Sequence, residues 1–197
     1  TYGMNLILAA FGSAQTVFGI YFKLQSFVFM PVFGLNNGMV PIIAYNYGAG
    51  HKDRVIKTIK HSVAYGVGIM FAGLLAMHIF PAQLMRMFDA EESLIAIGAP
   101  ALETISLSFV FAGFCIVAGS VFQALGNGVY SMIVSVARQM CVLLPVAKLL
   151  SLSGEVTLIW WAFPIAELAS VLLTSYFLVR IYRKVICHIG EPVVQDA

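Results

Sequence analysis

The chain consists of long apolar runs separated by short polar connections. A run of about 20 apolar residues can cross the hydrocarbon core of a bilayer as a helix. The pattern predicts a partial apolar segment at 1–11, followed by five complete spans. These are expected at residues 14–45, 62–80, 93–125, 130–150 and 157–179. The connections are short, so neighbouring spans are expected to run antiparallel.

Composition supports a membrane protein rather than a water-soluble one. Of the 197 residues, 60% are hydrophobic and only 10% are charged, and the mean hydropathy is +0.92. Soluble domains carry about 25% charged residues. The apolar runs are continuous rather than alternating, which favours helices over an outer-membrane barrel. The predicted fold class is therefore an all-α, polytopic transmembrane helical bundle, and the net charge of +2 gives no indication of nucleic-acid binding.

The charged connections predict an orientation in the membrane. Basic residues gather at 50–61 and at 180–184, whereas the connection 81–93 is mainly acidic. Basic connections face the cytoplasm in most membrane proteins. We therefore expect residues 1–185 to form a transmembrane lobe and 186–197 to form a cytoplasmic C-terminal tail. An apolar run is already under way at Thr1, so we expect the chain to be a piece of a longer protein.

Charges inside predicted spans are the leading candidates for function, because burying them in a bilayer is costly. At about 1.5 Å per residue, Lys23, Glu103 and Glu167 lie roughly 12–15 Å from the outer ends of their spans, which is near the bilayer midplane. We hypothesise that all three face one internal cavity. Lys23 would neutralise one carboxylate, and the other would bind a cation or accept a proton.

Each of these charges also has a structural interpretation. Lys23 could extend outward to the interface, as long basic side chains do. Glu103 could lie at the rim if its span begins later. Glu167 is the strongest functional candidate, because it begins a polar stripe with Ser170 and Thr174 at helical spacing. Arg138 is expected to reach the cytoplasmic surface or to cap a helix.

Residues 31–48 contain prolines, glycines and paired amides within an apolar run. Irregular backbone at membrane depth is tolerated where protein or a cavity covers it. We therefore predict an irregular helix with a hinge in this stretch. The hinge residues are predicted to be Pro31, Gly34, Gly38 and Pro41.

The same stretch holds two further candidate features. Asn36 and Asn37 could bind backbone carbonyls that the prolines leave free, or they could line the transport pathway. Gly34 and Gly38 form a Gly-x-x-x-Gly pair that predicts close helix packing. Phe27 and Met30 share a predicted helical face with Lys23, and aromatic and methionine side chains suit flat amphipathic cations.

Several segments resemble the multidrug and toxic compound extrusion (MATE) transporters. They are Gly34-Leu-Asn-Asn-Gly-Met-Val-Pro41, Tyr45-Asn-Tyr-Gly-Ala-Gly50, Phe122-Gln-Ala-Leu-Gly126 and Pro164-Ile-Ala-Glu167. The resemblance covers nearly the whole chain in order and spacing. It implies that the chain is the C-terminal six-helix lobe of a two-lobe transporter. The chain would lack most of the first helix of that lobe.

The resemblance also implies a function and its partners. The expected function is export of organic cations or drugs across a bacterial cytoplasmic membrane, coupled to Na⁺ or H⁺ entry. The expected partners are membrane lipid, a small cationic substrate and the N-terminal lobe of the same protein. No cofactor is expected, since the chain has neither a nucleotide-binding P-loop nor metal-ligand spacing.

Three other functions compete with export. A lipid-linked oligosaccharide flippase of the same superfamily would need several buried lysines or arginines for phosphate, and this chain offers few. An intramembrane enzyme would need a catalytic dyad or a metal cluster, and neither is visible, so we predict that the protein is not an enzyme. A membrane scaffold without transport activity is the third alternative.

Overall fold

The computed structural model describes residues 2–190, which form a bundle of helices. The helices are α1 (Tyr2–Leu8), α2 (Ala14–Gly48), α3 (Lys52–Ile79), α4 (Pro81–Arg86), α5 (Glu92–Ser106), α6 (Phe109–Ala124), α7 (Gly128–Val136), α8 (Leu144–Ser151), α9 (Val156–Ile159) and α10 (Ala162–Lys184). Short 3₁₀ turns follow α1 and α10, and the π-helical turn Ala137–Leu143 joins α7 to α8. We call this turn the π segment.

Four of the five predicted spans are confirmed. Among the described residues, four helical stretches are long and apolar enough to cross a membrane: Ala14–Gly48, Lys52–Ile79, Gly128–Ser151 and Val156–His188. The pair α5 and α6 gives a fifth span if the two helices are counted together. Helix α6 occupies the centre, where it contacts α2, α3, α7 and α10, and its inward residues Phe109, Val117 and Phe122 are fully buried. The all-α membrane bundle is therefore the observed fold.

The pair α5 and α6 is bent, which the sequence pattern does not predict. Helices α5 and α6 meet at an angle of 47° across Leu107 and Ser108. The Ser108 amide donates to the Ile105 carbonyl, and the Ser108 hydroxyl donates to the same oxygen over 2.6 Å. A hydroxyl that competes for helical carbonyls in this way can bend a helix. The sequence 93–125 thus forms two helices that meet at a bend rather than one straight helix.

Helix α2 shows the opposite behaviour. No break interrupts the stretch 31–48, because α2 is one continuous helix of 35 residues that contains both Pro31 and Pro41. Neither Asn36 nor Asn37 makes a side-chain hydrogen bond to the backbone within residues 2–190. In the same stretch it is Asn46 that bonds the backbone, because its side-chain amide donates to the Ile42 carbonyl over 2.8 Å. Movement at this stretch remains a prediction.

Close helix packing occurs, but at glycines other than the predicted pair. A Cβ atom at Gly34 or Gly38 would meet nothing within 4 Å, so this Gly-x-x-x-Gly pair makes no close contact in the described structure. Helices α3 and α6 instead approach each other at Gly66 and Gly113. Small residues at a crossing allow two backbones to come together in a membrane, where hydrophobic burial contributes little.

The two basic segments lie at the same end of the bundle. The ammonium group of Lys52, at the start of α3, donates to the Cys187 carbonyl over 2.8 Å. Gly50 also approaches Gly190, with a Cβ on Gly190 only 3.0 Å from the Gly50 carbonyl oxygen. Residues 186–190 of the predicted tail therefore contact the α2–α3 turn. Residues 191–197 of that predicted tail lie outside the described residues.

Candidate functional site

The polar stripe of α10 faces the interior, as its helical spacing predicted. Glu167, Ser170 and Thr174 are exposed by only 7%, 2% and 0%. The Ser170 hydroxyl donates to the Ala166 carbonyl within the helix, and the Thr174 hydroxyl donates across to the Cys115 sulfur over 3.6 Å. These two hydroxyls are therefore satisfied, and Glu167 is the member of the stripe that needs a partner of opposite charge.

Arg138 is that partner. Its Nη1 donates to Oε1 of Glu167 over 2.6 Å, and the two residues are 29 positions apart in the chain. The expectation that Arg138 reaches the cytoplasmic surface or caps a helix is therefore wrong. A charge in the membrane interior is costly when alone, and the nearby carboxylate both neutralises the guanidinium and accepts its hydrogen bond.

The π segment carries Arg138 to this position. The Leu144 amide donates to the Gln139 carbonyl five residues earlier, which is the π-helical pattern. Pro145 follows at the start of α8 and cannot donate to the carbonyl of Cys141, which removes one regular α-helical bond. Single π turns within α-helices occur frequently at functional sites. The π segment packs against α10, and Arg138 meets Glu167 at this contact.

A large cavity of about 530 Å³ lies on one side of the ion pair. Its walls come from α2, α6, α7 and α10. Its polar lining includes the amides of Asn36, Asn37 and Gln123, several hydroxyls, and Arg138. Asn36 is 7% exposed, and its side-chain oxygen Oδ1 has no hydrogen-bond partner among the described residues. One residue of the cavity wall therefore carries a buried acceptor that has no donor among the described residues.

A smaller cavity of about 170 Å³ lies on the other side. Glu167 and Arg138 line it, together with the polar side chains of Tyr21, Gln25 and Gln139. The second carboxylate oxygen of Glu167, Oε2, is buried and has no hydrogen-bond partner within residues 2–190. Arg138 lines both cavities, so the ion pair forms part of the wall between them.

Lys23 does not join this site. Its side chain is exposed, and its ammonium group lies 5.6 Å from the centre of the Phe88 ring. It lines a separate groove of about 360 Å³ with Asn5, Gln15 and others. The hypothesis that Lys23 neutralises Glu167 or Glu103 is therefore wrong in this conformation, because Arg138 neutralises Glu167 and Lys23 contacts an aromatic ring instead.

Glu103 is also separate from Glu167. It is half-buried on α5 and lines none of the described cavities, and within residues 2–190 it makes no ion pair. Its backbone carbonyl accepts a hydrogen bond from the Ser106 hydroxyl near the helix break. The single cavity that was to hold Lys23, Glu103 and Glu167 is therefore not observed in the described part of the chain.

The remaining candidates divide between the large cavity and an exposed face of α2. Asn36, Asn37 and Pro41 line the large cavity. Phe27 and Met30 are 70% and 65% exposed, and Pro31, Gly34 and Gly38 lie outside the core as well. The predicted shared face of Lys23, Phe27, Met30 and Gly34 exists, but it points away from the core rather than into the ion-pair site.

Known proteins resemble this chain in both sequence and fold. The MatE family model matches residues 4–149. The chain is 27% identical over 183 residues to the multidrug export protein MepA of Staphylococcus haemolyticus, an alignment that covers 92% of this chain and 40% of that protein. The chain thus spans about two fifths of the length of the curated relatives that it matches.

Solved structures agree with this assignment. The MATE multidrug transporter DinF-BH, solved in complex with a ligand, is 33% identical in sequence to this chain, and the two structures superpose with a TM-score of 0.79. The match covers 90% of this chain and 40% of DinF-BH. The Vibrio cholerae MATE transporter VcmN in its bent form has a TM-score of 0.85 at 17% identity, over 93% of this chain and 42% of that one, which shows a shared fold. This chain belongs to the MatE family.

Proposed function

We propose that this chain is the C-terminal lobe of a transporter that exports organic cations or drugs in exchange for Na⁺ or H⁺. Its family and its membrane-length helices support a transport role. The S. haemolyticus relative is named a multidrug export protein, and DinF-BH is named a multidrug transporter. The other partners in this proposal are membrane lipid and an N-terminal lobe of the same protein.

The buried carboxylate of Glu167 is the observation that carries the coupling proposal. Intramembrane acids mark ion pathways and proton relays, because leaving them unused would only cost stability. Glu167 has one oxygen bound by Arg138 and one without a partner, among the described residues, at the wall of the smaller cavity. Oxygen-bearing side chains of Tyr21, Gln25 and Gln139 line the same cavity and could complete the coordination of a small cation.

The exposed face of α2 supports contact with an amphipathic substrate. Phe27 and Met30 offer an aromatic ring and an adaptable thioether to the space outside this lobe. Relatives are more than twice as long as this chain, and a second lobe would supply the opposite wall. We therefore assign this face to the substrate pathway between two lobes, and the coupling site to the interior of this one.

The orientation and location complete the proposal. The basic α2–α3 turn and the C-terminal segment lie at one end of the bundle, and the positive-inside rule assigns that end to the cytoplasm. The lobe would lie in a bacterial cytoplasmic membrane. A lipid-linked oligosaccharide flippase fits less well, because Arg138 is the only described basic residue on the walls of the two cavities and Glu167 neutralises it.

Efflux by the full-length transporter in proteoliposomes would test the coupling role of Glu167. Ethidium is a suitable fluorescent probe, because it is a flat aromatic cation of the proposed substrate class. Glu167→Gln should abolish the dependence of ethidium efflux on the Na⁺ or H⁺ gradient. Glu92→Gln is the matched control, because Glu92 pairs with Arg86 over 2.9 Å on the exposed surface. Unchanged ion dependence in Glu167→Gln would remove Glu167 from the mechanism.

A further inference from the structure

The guanidinium of Arg138 already neutralises the carboxylate to which a coupling cation would bind. Its Nη1 lies 2.6 Å from Oε1 of Glu167, and the two opposite charges cancel. A second cation at the same carboxylate would be repelled by the guanidinium at close range, most strongly where water is scarce. A cation can therefore bind Glu167 tightly only if Arg138 withdraws.

The structure provides space for that withdrawal. The side chain of Arg138 is 34% exposed, whereas that of Glu167 is 9% exposed. Arg138 also lines the 530 Å³ cavity, where the buried Oδ1 of Asn36 has no donor among the described residues. A guanidinium carries five N–H donors and is always charged, so it needs acceptors wherever it lies. Asn36 carries such an acceptor, and it lines the large cavity, which Glu167 does not line.

The backbone at Arg138 is also suited to a change. The π segment holds one residue more than an α-helix of the same length. Relaxing such a turn to α-helical geometry rotates the residues beside it by about 100°. A small change of backbone register would thus reorient Arg138 between the two cavities that it lines.

We propose that Arg138 is an internal competitor for the coupling cation. It holds Glu167 in the present conformation, and cation binding at Glu167 transfers the guanidinium to the large cavity, next to Asn36. This inference rests on the proposed coupling role of Glu167 and adds the residue that sets its apparent affinity. Arg138 is a positioning residue, because it acts through Glu167 and the backbone of its helix.

Few other groups could produce the same ion dependence. The charged or titratable side chains described on the walls of the two cavities are Glu167, Arg138, Tyr21 of α2 and Cys115 of α6. The other described segments that contact α10, which are α5, α7, α8 and the turn Ile186–His188, place no acid or base on either wall. If substitution of Arg138 changes the ion dependence of efflux, we therefore attribute the change to the pairing of Arg138 with Glu167.

The test measures ethidium efflux by the full-length transporter at increasing Na⁺ and fixed pH, and again at varied pH without Na⁺. Arg138→Gln should lower the half-saturating concentration of the cation that drives wild-type efflux about tenfold. If that cation is the proton, the half-maximal pH rises by about one unit. Arg138→Lys should give a smaller shift in the same direction. Asn36→Leu should shift it in the opposite direction, because the displaced guanidinium loses its acceptor.

Each outcome separates the competitor role from alternatives. A slower maximal rate in Arg138→Gln with an unchanged half-saturating concentration would show a merely structural role and overturn the inference. Should Arg138→Gln fail to fold, Arg138→Lys and Asn36→Leu still give opposite predictions. If Glu167→Gln retains ion dependence, the proposed function itself fails. Arg86→Gln, at the exposed ion pair, should leave the half-saturating concentration unchanged.

Discussion

Gly66 of α3 and Gly113 of α6 face each other where the two helices cross. A Cβ atom on Gly113 would lie 3.1 Å from the Gly66 carbonyl oxygen and 2.8 Å from the Met70 side chain. A Cβ atom on Gly66 would lie 2.6 Å from the Val117 side chain. The absence of a side chain at these two positions therefore sets the distance between α3 and the central helix.

Gly66→Ala should destabilise the bundle by about 1–3 kcal/mol, because an added methyl group overpacks this crossing. Gly68→Ala is the matched control on the same helix, since a Cβ there meets nothing within 4 Å. It should be neutral or stabilising by up to about 1 kcal/mol, as alanine favours the helix over glycine. Thermal unfolding of detergent-solubilised protein measures both. Equal effects of the two substitutions on stability would contradict the close packing of α3 against α6 at Gly66.

The buried ion pair should show strong coupling in a double-mutant cycle. Arg138→Met alone should cost about 3–5 kcal/mol, because it leaves an uncompensated buried carboxylate. Adding Glu167→Met should restore much of that loss, since an apolar pair of similar volume is often tolerated. The cycle of Arg86 and Glu92 serves as the comparison and should give at most about 1 kcal/mol for this exposed pair. Unfolding of the purified variants by denaturant measures both cycles, and equal coupling energies would contradict the burial of the Arg138–Glu167 pair.

The contact between the α2–α3 turn and the C-terminal segment should be detectable by cross-linking. In a background free of native cysteines, Gly50→Cys with Gly190→Cys should form a disulfide on mild oxidation, because their backbones nearly touch. Both positions have positive φ, so a modest loss of stability is expected as well. The pair Gly154→Cys with Gly190→Cys should remain reduced, and mass spectrometry separates these outcomes. A cross-link in the second pair would contradict the placement of Gly190 beside Gly50.

The sequence predicted the spans well because length and apolarity alone determine them. It also predicted the inward stripe of α10, since helical spacing places Glu167, Ser170 and Thr174 on one face. It failed at Arg138, which was treated as a residue that could reach the surface. The depth of Arg138 could have pointed to an intramembrane acid as its partner, but choosing between Glu103 and Glu167 required the packing of α10 against the π segment.

The failures at α2 and α5 have a shared physical reason. Proline and glycine at 31–41 predicted an irregular helix, yet α2 runs unbroken through both prolines, and the helix break falls at Leu107–Ser108, where the Ser108 hydroxyl bonds the backbone. Local residue type shows where a helix is able to bend. Tertiary contacts decide where it does bend, so the two proline sites and the serine site could not be ranked from sequence.

The length of α2 determines how the lobe is placed vertically in a bilayer. Its 35 residues measure about 52 Å, against a hydrocarbon thickness of about 30 Å. A typical tilt of about 20° removes only a few ångströms of this hydrophobic mismatch. Part of α2 must therefore project into the headgroup layer, and the first turns of α3, which carry Lys52, Arg54 and Lys57, lie there. Anionic lipids attract such residues by about 1 kcal/mol each, which would hold the bundle at a fixed depth while its interior rearranges.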